Sequence, residues 1–370
     1  MDILKSNKEV VDFFGAYPLN GSSLRVTMAC NGRCKHCYTD AGKKFANEYS
    51  KEQIFDIIDQ LVKMDIIQMF FTGGEPFLRG DIIEILNYAN DKGIDILLST
   101  NGTFLTEEKI KKLKHINFEQ FQISLDGIGK IHDENRGRGF FEKADKAIDL
   151  LQKYNIKNIT IGTCLTKNNI KDLPNILKYV IEKKVHKFAP MLLLPEGRAT
   201  HDMGIEPKEL VESLDIFWDI YRKNLDNITF EFASNSVLPP VFVPKDLREK
   251  GVHKPFIVCC GYPNIMGIGI DGSVAPCDGF LVWEDFIAGN IYDDSIEDIW
   301  NNMYSNEKII PKNVVELKGV CEKCIFVQDC GGNCRADSVS YYNDITAPYP
   351  PCQKLYEAGL FPKECIRNND

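Results

Sequence analysis

Residues 24–38 read Leu-Arg-Val-Thr-Met-Ala-Cys-Asn-Gly-Arg-Cys-Lys-His-Cys-Tyr. Leu24–Met28 has the character of a short strand, and Cys30, Cys34 and Cys37 follow it at once in the spacing C-x3-C-x2-C. A cubane [4Fe–4S] cluster takes one thiolate per iron, so a trio of cysteines leaves one iron open to another ligand. Zinc is the competing use of the same residues. It needs a further donor, and His36 is the nearest.

From Leu24 to Leu194 short apolar runs alternate with helical patterns. Strands are expected at Leu24–Met28, Ile66–Phe71, Ile94–Ser99, Gln120–Leu125, Asn158–Thr163 and Lys187–Leu193. Between them lie amphipathic stretches at Lys51–Lys63, Asp81–Asp91, Glu107–Lys114, Phe141–Lys153 and Ile170–Lys183. Ile54, Ile57, Ile58 and Leu61 show the helical spacing. Strand, helix, strand in repetition means parallel βαβ units in an α/β fold. Six strands suit an incomplete barrel better than a closed eight-stranded one, and on pattern alone an open doubly wound sheet stays available.

Glu206–Lys223 reads as a further helix, and Pro239 to Pro255 as a linker or wrapping loop. Ile265–Ile270, Asp271-Gly272 and Ser273–Pro276 read as a hairpin, and Ser295–Asn302 as a short helix with Ser295 as N-cap. The remainder is punctuated by cysteines and has little regular pattern. The expected division is an N-terminal extension over 1–22, a barrel over 23–235, a linker over 236–258 and a cysteine-rich region over 259–370.

The 370 residues carry a formal net charge of -9, which argues against a nucleic-acid surface. There is no secretory h-region and no apolar run of the roughly 18 residues a membrane span needs. Thirteen cysteines without a signal peptide point to metal or cluster ligation in a reducing, cytoplasmic setting rather than to disulfides.

Thr72-Gly73-Gly74-Glu75-Pro76 follows the second strand, at the same sheet edge as the cysteine triplet. Together the two motifs resemble the signature of the radical S-adenosylmethionine (radical SAM) superfamily. The resemblance implies a partial (β/α)6 TIM-like barrel. It also implies a cluster whose open iron chelates S-adenosyl-L-methionine (SAM) and reduces it to a 5′-deoxyadenosyl radical. By the same resemblance Gly73, Gly74, Glu75 and Pro76 serve the methionine amino group, and Ser99 and Asn101 serve the ribose. Ser124 and Arg136, twelve residues apart, would contact the cofactor, and Tyr38 and Leu194 would pack on adenine. A solvated surface arginine is the other reading of Arg136.

The tail spacing Cys321-x2-Cys324-x5-Cys330-x3-Cys334, followed by Cys352 and preceded by Gly272-x4-Cys277 and Cys259-Cys260, resembles the SPASM domain. That implies two auxiliary [4Fe–4S] clusters. Cys321, Cys324, Cys330 and Cys352 would hold the distal one, and Cys277 and Cys334 the proximal one, with Cys259 and Cys260 as candidates for its remaining irons. Adjacent cysteines reach two irons of one cube only in a restricted geometry, so full ligation and an open iron both stay available. Zinc knuckles are the alternative use of the tail. Cys164 and Cys365 are left over. Cys164 is a hydrogen donor to a substrate radical or a small buried hydrophobe, and Cys365 is incidental. Asp278 resembles the general base of sulfatase-maturing relatives; the other reading is a turn-capping aspartate.

The resemblance implies maturation of a ribosomally made peptide, by crosslink, thioether or related oxidation, with a flavodoxin- or ferredoxin-type electron donor. With the barrel starting near residue 23, leader recognition is expected to come from a separate protein, or the substrate is not leader-guided. Sulfatase maturation, peptide epimerisation and tetrapyrrole side-chain chemistry are the enzymatic alternatives. An iron–sulfur electron carrier or scaffold is the non-enzymatic one.

Overall fold

The computed structural model describes residues 19–233, 238–252, 264–306, 309 and 317–367. Cys259 and Cys260 lie outside them. Six parallel strands come first: β1 (Gly21–Thr27), β2 (Gln68–Gly73), β3 (Asp95–Thr100), β4 (Phe118–Ser124), β5 (Ile159–Leu165) and β6 (Lys187–Leu192). Each overlaps an expected strand and pairs with the next in chain order. Helices α1 (Lys51–Lys63), α2 (Ile82–Asp91), α3 (Glu107–Leu113), α4 (Lys130–Arg136), α5 (Phe140–Lys153) and α6 (Leu173–Lys183) form the crossovers, α4 and α5 together occupying one of them.

The local causes are legible in α1. Ser50 and Gln53 form a reciprocal capping box, and Ile54, Ile57, Ile58 and Leu61 are its buried stripe. Strand β4 is covered on both faces, as parallel strands are, and five of its residues in succession are buried.

A short strand, β7 (Glu231–Phe232), adds to β6 after the long helix α7 (Pro207–Lys223). The stretch expected as a linker is packed in its described part. Val241, Phe242, Val243 and Leu247 are buried, a short helix α8 (Lys245–Glu249) forms, and Trp218 Nε1 donates to the Phe242 carbonyl at 2.7 Å.

The hairpin β8 (Ile265–Ile268) and β9 (Ser273–Ala275) forms as expected, but it does not stand apart. Strand β8 pairs in parallel with β1, from Gly21 opposite Ile265 to Leu24 opposite Ile268. With β10 (Gly289–Asn290) the result is one ten-stranded sheet in the order β10-β9-β8-β1-β2-β3-β4-β5-β6-β7. Ser295 caps α9 (Ile296–Ser305) through the Asp298 amide. The cysteine-rich end folds into α10 (Val320–Lys323), α11 (Val327–Cys330), α12 (Arg335–Tyr342) and α13 (Pro350–Glu357). These are too short for a periodic pattern to announce them. Among the described residues, no helix is long and apolar enough to cross a membrane.

Candidate active site and cluster cavities

The cysteine loop leaves β1 and folds back, with Cys30 N–H donating to the Gly42 carbonyl at 3.0 Å. The Gly73-Gly74 turn lies directly on this loop. A Cβ on Gly73, which has φ +121°, would stand 2.3 Å from the Thr27 carbonyl oxygen, and one on Gly74 would stand 2.2 Å from that of Ala29. The sequence suggests that these glycines admit a ligand. In the structure the backbone they admit is that of the cluster loop itself.

Glu75 is fully buried and accepts from Thr100 Oγ1 at 2.6 Å, Asn101 N at 2.8 Å and Phe77 N at 3.1 Å. Burial pushes its carboxyl up against the pull of these donors. The Glu75 side chain therefore ties the ends of β2 and β3 together, and Pro76 opens the short turn Pro76–Leu78 beside it. Asn101 Nδ2 reaches Asn31 Oδ1 at 2.9 Å, joining the loop after β3 to the cysteine loop. Ser99 accepts from Gln122 Nε2 within the sheet, and Ser124 ends β4.

Arg136 is not a surface arginine. Its Nε bonds Asp126 Oδ2, and its Nη1 lies 3.9 Å from Cys34 Sγ. His36 Nε2 is 3.1 Å from the same Asp126 oxygen, and Cys164 N–H donates to Asp126 Oδ1 at 2.8 Å. Burial opposes the Asp126 charge, yet Arg136 and His36 hold the carboxyl well below the usual carboxylate range. His132 Nδ1 accepts the Asp126 N–H at 3.0 Å; burial and then Arg136 lower this imidazole to about 4, so it is neutral at neutral pH. The zinc reading of the triplet asks for His36 as a ligand; its Nε2 is paired with Asp126, while its Nδ1 is buried with no hydrogen-bond partner among the described residues. At the end of β5, burial, reinforced by Asp126, keeps the Cys164 thiol protonated beside Leu193, Ala199 and Met203.

Asp278 and Tyr38 meet. The Tyr38 hydroxyl donates to Asp278 Oδ2 at 2.5 Å, and Arg25 Nε donates to Oδ1 at 2.8 Å. Each of the first pair directly follows a cysteine, Cys37 and Cys277 respectively. The Tyr38 hydroxyl is thus anchored on the auxiliary segment. Leu194 packs there too, against Ala275, Phe280, Ala336 and Val339 together with Cys277 and Cys334.

Cys321, Cys324, Cys330 and Cys352 line one pocket, walled by Pro240, Val327, Tyr349 and Phe361. Backbone N–H groups of Tyr349 and Phe326 point at the Cys321 and Cys324 sulfurs, each at 3.4 Å. Burial raises Cys324 to about 11 and Cys330 to about 12, so without metal these are thiols. Soft donors spread around an apolar-lined space, with amide donors for the sulfurs, suit a cubane cluster. Among the described residues, no three His, Cys, Asp or Glu side chains close on a single point as a mononuclear ion requires. Cys365, from the polar tail, is fully buried next to this cavity; its carbonyl accepts from the Ile325 N–H, and its sulfur lies 3.9 Å from Arg248 Nη2.

A clamp on the cysteine loop comes from residues absent from the sequence reading. Arg198 Nε donates to the Cys34 carbonyl at 3.0 Å, and the Arg198 N–H to that of Cys37 at 2.9 Å. Gly197 has φ +62°, and a Cβ there would stand 2.6 Å from the carbonyl oxygens of both Cys37 and Tyr38. Gly197→Ala is expected to cost about 1–3 kcal/mol from backbone strain alone and to lower the iron bound per chain. Urea unfolding and iron analysis check this, and a variant with wild-type iron content and midpoint contradicts it. Arg25, Asp126 and Arg198 were all missed. The available signal for Arg25 was a charge inside the apolar strand Leu24–Met28.

The radical SAM superfamily model matches residues 24–180, and the SPASM model, described as an iron–sulfur cluster-binding domain, matches residues 259–325. The chain is similar to Fe-coproporphyrin III synthase of Methanosarcina barkeri, 28% identical over 88% of this chain and 86% of that one. It is also similar to mycofactocin maturase MftC of Mycolicibacterium smegmatis, 27% identical over 92% of this chain and 84% of that one. Among solved structures, SuiB of Streptococcus suis bound to S-adenosylmethionine superposes with a TM-score of 0.70 at 18% identity, covering 93% of this chain and 79% of that one.

Proposed function

The chain belongs to the radical SAM superfamily and carries a SPASM domain, and on that premise we propose that it matures a ribosomally made peptide by oxidation. Cys30, Cys34 and Cys37 hold the SAM-binding cluster; Cys321, Cys324, Cys330 and Cys352 hold one auxiliary cluster; Cys277 and Cys334 belong to another. When bound, the first cluster and SAM supply a 5′-deoxyadenosyl radical that removes a hydrogen atom from an unactivated C–H bond. The chain's residues place the substrate, exclude water and take what the substrate must still lose. Gly73, Gly74, Ser99, Asn101 and Ser124 sit at the strand ends where the cofactor would lie, and Arg136, at the end of α4, turns back toward them through Asp126.

The observation that carries the reading is the contact of Asp278 with Tyr38. It brings a carboxylate, and the cysteine beside it, against the loop that holds the first cluster. A substrate radical oxidised there gives one proton and one electron. Asp278 takes the proton, exchanging a contact with Tyr38 or Arg25 for it, and Cys277 would help hold an auxiliary cluster that, when bound, would supply a one-electron acceptor. The relatives support a peptide: one is named a mycofactocin maturase, and SuiB has also been crystallised with its precursor peptide SuiA.

Tetrapyrrole side-chain oxidation is the second reading, favoured by the likeness to Fe-coproporphyrin III synthase. Reconstituted protein is incubated anaerobically with SAM and dithionite, and with either peptides encoded beside the gene or iron tetrapyrroles bearing carboxylate side chains. Appearance of 5′-deoxyadenosine with a peptide lighter by two hydrogens supports the proposal. Turnover of the porphyrin alone replaces it with the second reading. A peptide of unchanged mass and altered chirality, lost in Cys164→Ala, assigns epimerisation, and formylglycine in a sulfatase peptide assigns sulfatase maturation. No nucleoside from any substrate leaves only an electron carrier.

A further inference from the structure

We propose that Asp126 is a positioning residue that sets the reduction potential of the first cluster by holding the Arg136 guanidinium against Cys34. The proposal rests on the assignment of Cys30, Cys34 and Cys37 as the ligands of that cluster.

Asp126 is fixed from every side. It follows β4, its Oδ1 takes the Cys164 N–H from β5, and its own N–H donates to His132 of α4. Asn169 Nδ2 bridges the carbonyls of Asp126 and Cys164 at 2.9 and 2.8 Å. The remaining oxygen, Oδ2, faces two groups that belong to the cluster site. One is His36, inside the cysteine motif, and the other is Arg136. The carboxylate is fully buried and the Arg136 side chain 13% exposed, so solvent screens neither charge well. Arg136 turns its Nη1 to Cys34 Sγ at 3.9 Å while Nε stays on Asp126. The pair is therefore an oriented dipole whose positive end meets a ligand sulfur.

Reduction adds an electron to the cluster. A positive charge at a ligand sulfur favours the reduced state, and the negative charge behind it tempers that effect. The two residues must then act with opposite sign. Arg136→Gln removes the positive end and shifts the midpoint potential of the first cluster to more negative values. Asp126→Asn, close in shape, leaves Arg136 uncompensated and shifts it to more positive values. A purely structural role would loosen the loop in both variants and move both the same way.

The test is a potentiometric titration of the whole reconstituted protein without SAM, followed by the paramagnetic signal that changes shape when SAM is added. Iron content is measured alongside. Opposite shifts, with Arg136→Lys closer to wild type than Arg136→Gln, support the proposal; shifts of one sign, or none, overturn it. Should Asp126→Asn fail to assemble, Asp126→Glu, which keeps the charge but displaces the guanidinium, takes its place: a shifted potential supports the proposal, and an unmoved one, or equal potentials for Arg136→Lys and Arg136→Gln, overturns it. A wild-type protein with no SAM-sensitive signal overturns the cluster assignment itself, a different failure from an unmoved potential.

Discussion

Cys34→Ala is expected to abolish 5′-deoxyadenosine formation and the SAM-sensitive paramagnetic signal while leaving auxiliary iron in place. Cys34 is buried beneath Arg136, and its carbonyl is gripped by Arg198. Alanine keeps those backbone contacts, so the loop retains its path and loses only a sulfur. A cube with one thiolate fewer gains a second open iron and can pivot about the two thiolates that remain. Nucleoside release by high-performance chromatography and iron per chain are the measurements. Nucleoside at the wild-type rate would contradict the ligand assignment.

Asp278→Asn is expected to uncouple the reaction. Nucleoside forms near the wild-type rate, while modified product falls by about 10²–10⁴-fold, the usual worth of a positioned general base. Asparagine keeps its oxygen for Arg25 and turns its NH2 to the Tyr38 hydroxyl, which can rotate to accept, so the junction keeps its shape. It cannot hold the released proton. Removing one partner of a buried ion pair costs about 3–5 kcal/mol, and with side chains 8% and 12% exposed the Arg25–Asp278 pair qualifies. Thermal unfolding of the variant is therefore run beside the product assay. A folded variant with full product yield removes Asp278 from the proton step.

The six barrel strands were legible because apolar runs and helical stripes alternate without interruption from Leu24 to Leu192. The pairing of β8 with β1 was not, since a parallel contact between residues 21–24 and 265–268 leaves no local mark on either segment. The cysteines were legible as residue types in a spacing. Their partners were harder to see. Asp126 lay in plain view within Ser124-Leu125-Asp126-Gly127, but nothing in four residues says that this carboxylate gathers Arg136, His36 and the Cys164 amide. Gly73 and Gly74 were read for a ligand, whereas their lack of a side chain is explained by the carbonyls of Thr27 and Ala29. Asp278 was singled out as a base, and its ties to Arg25 and Tyr38 come from folding two distant segments together.

The continuity of the sheet through β8 and β1 has a consequence for how oxygen would injure this protein. Strand β1 delivers the cysteine loop, and one of its edges is paired with the hairpin that leads to Cys277. If Cys277 ligates a cluster as proposed, loss of its iron would slacken that covering and bare a row of amides and carbonyls on the strand that carries the cysteine loop. Damage that begins at the auxiliary end would thus travel through the main chain to the opposite centre, and the two would fail as a unit.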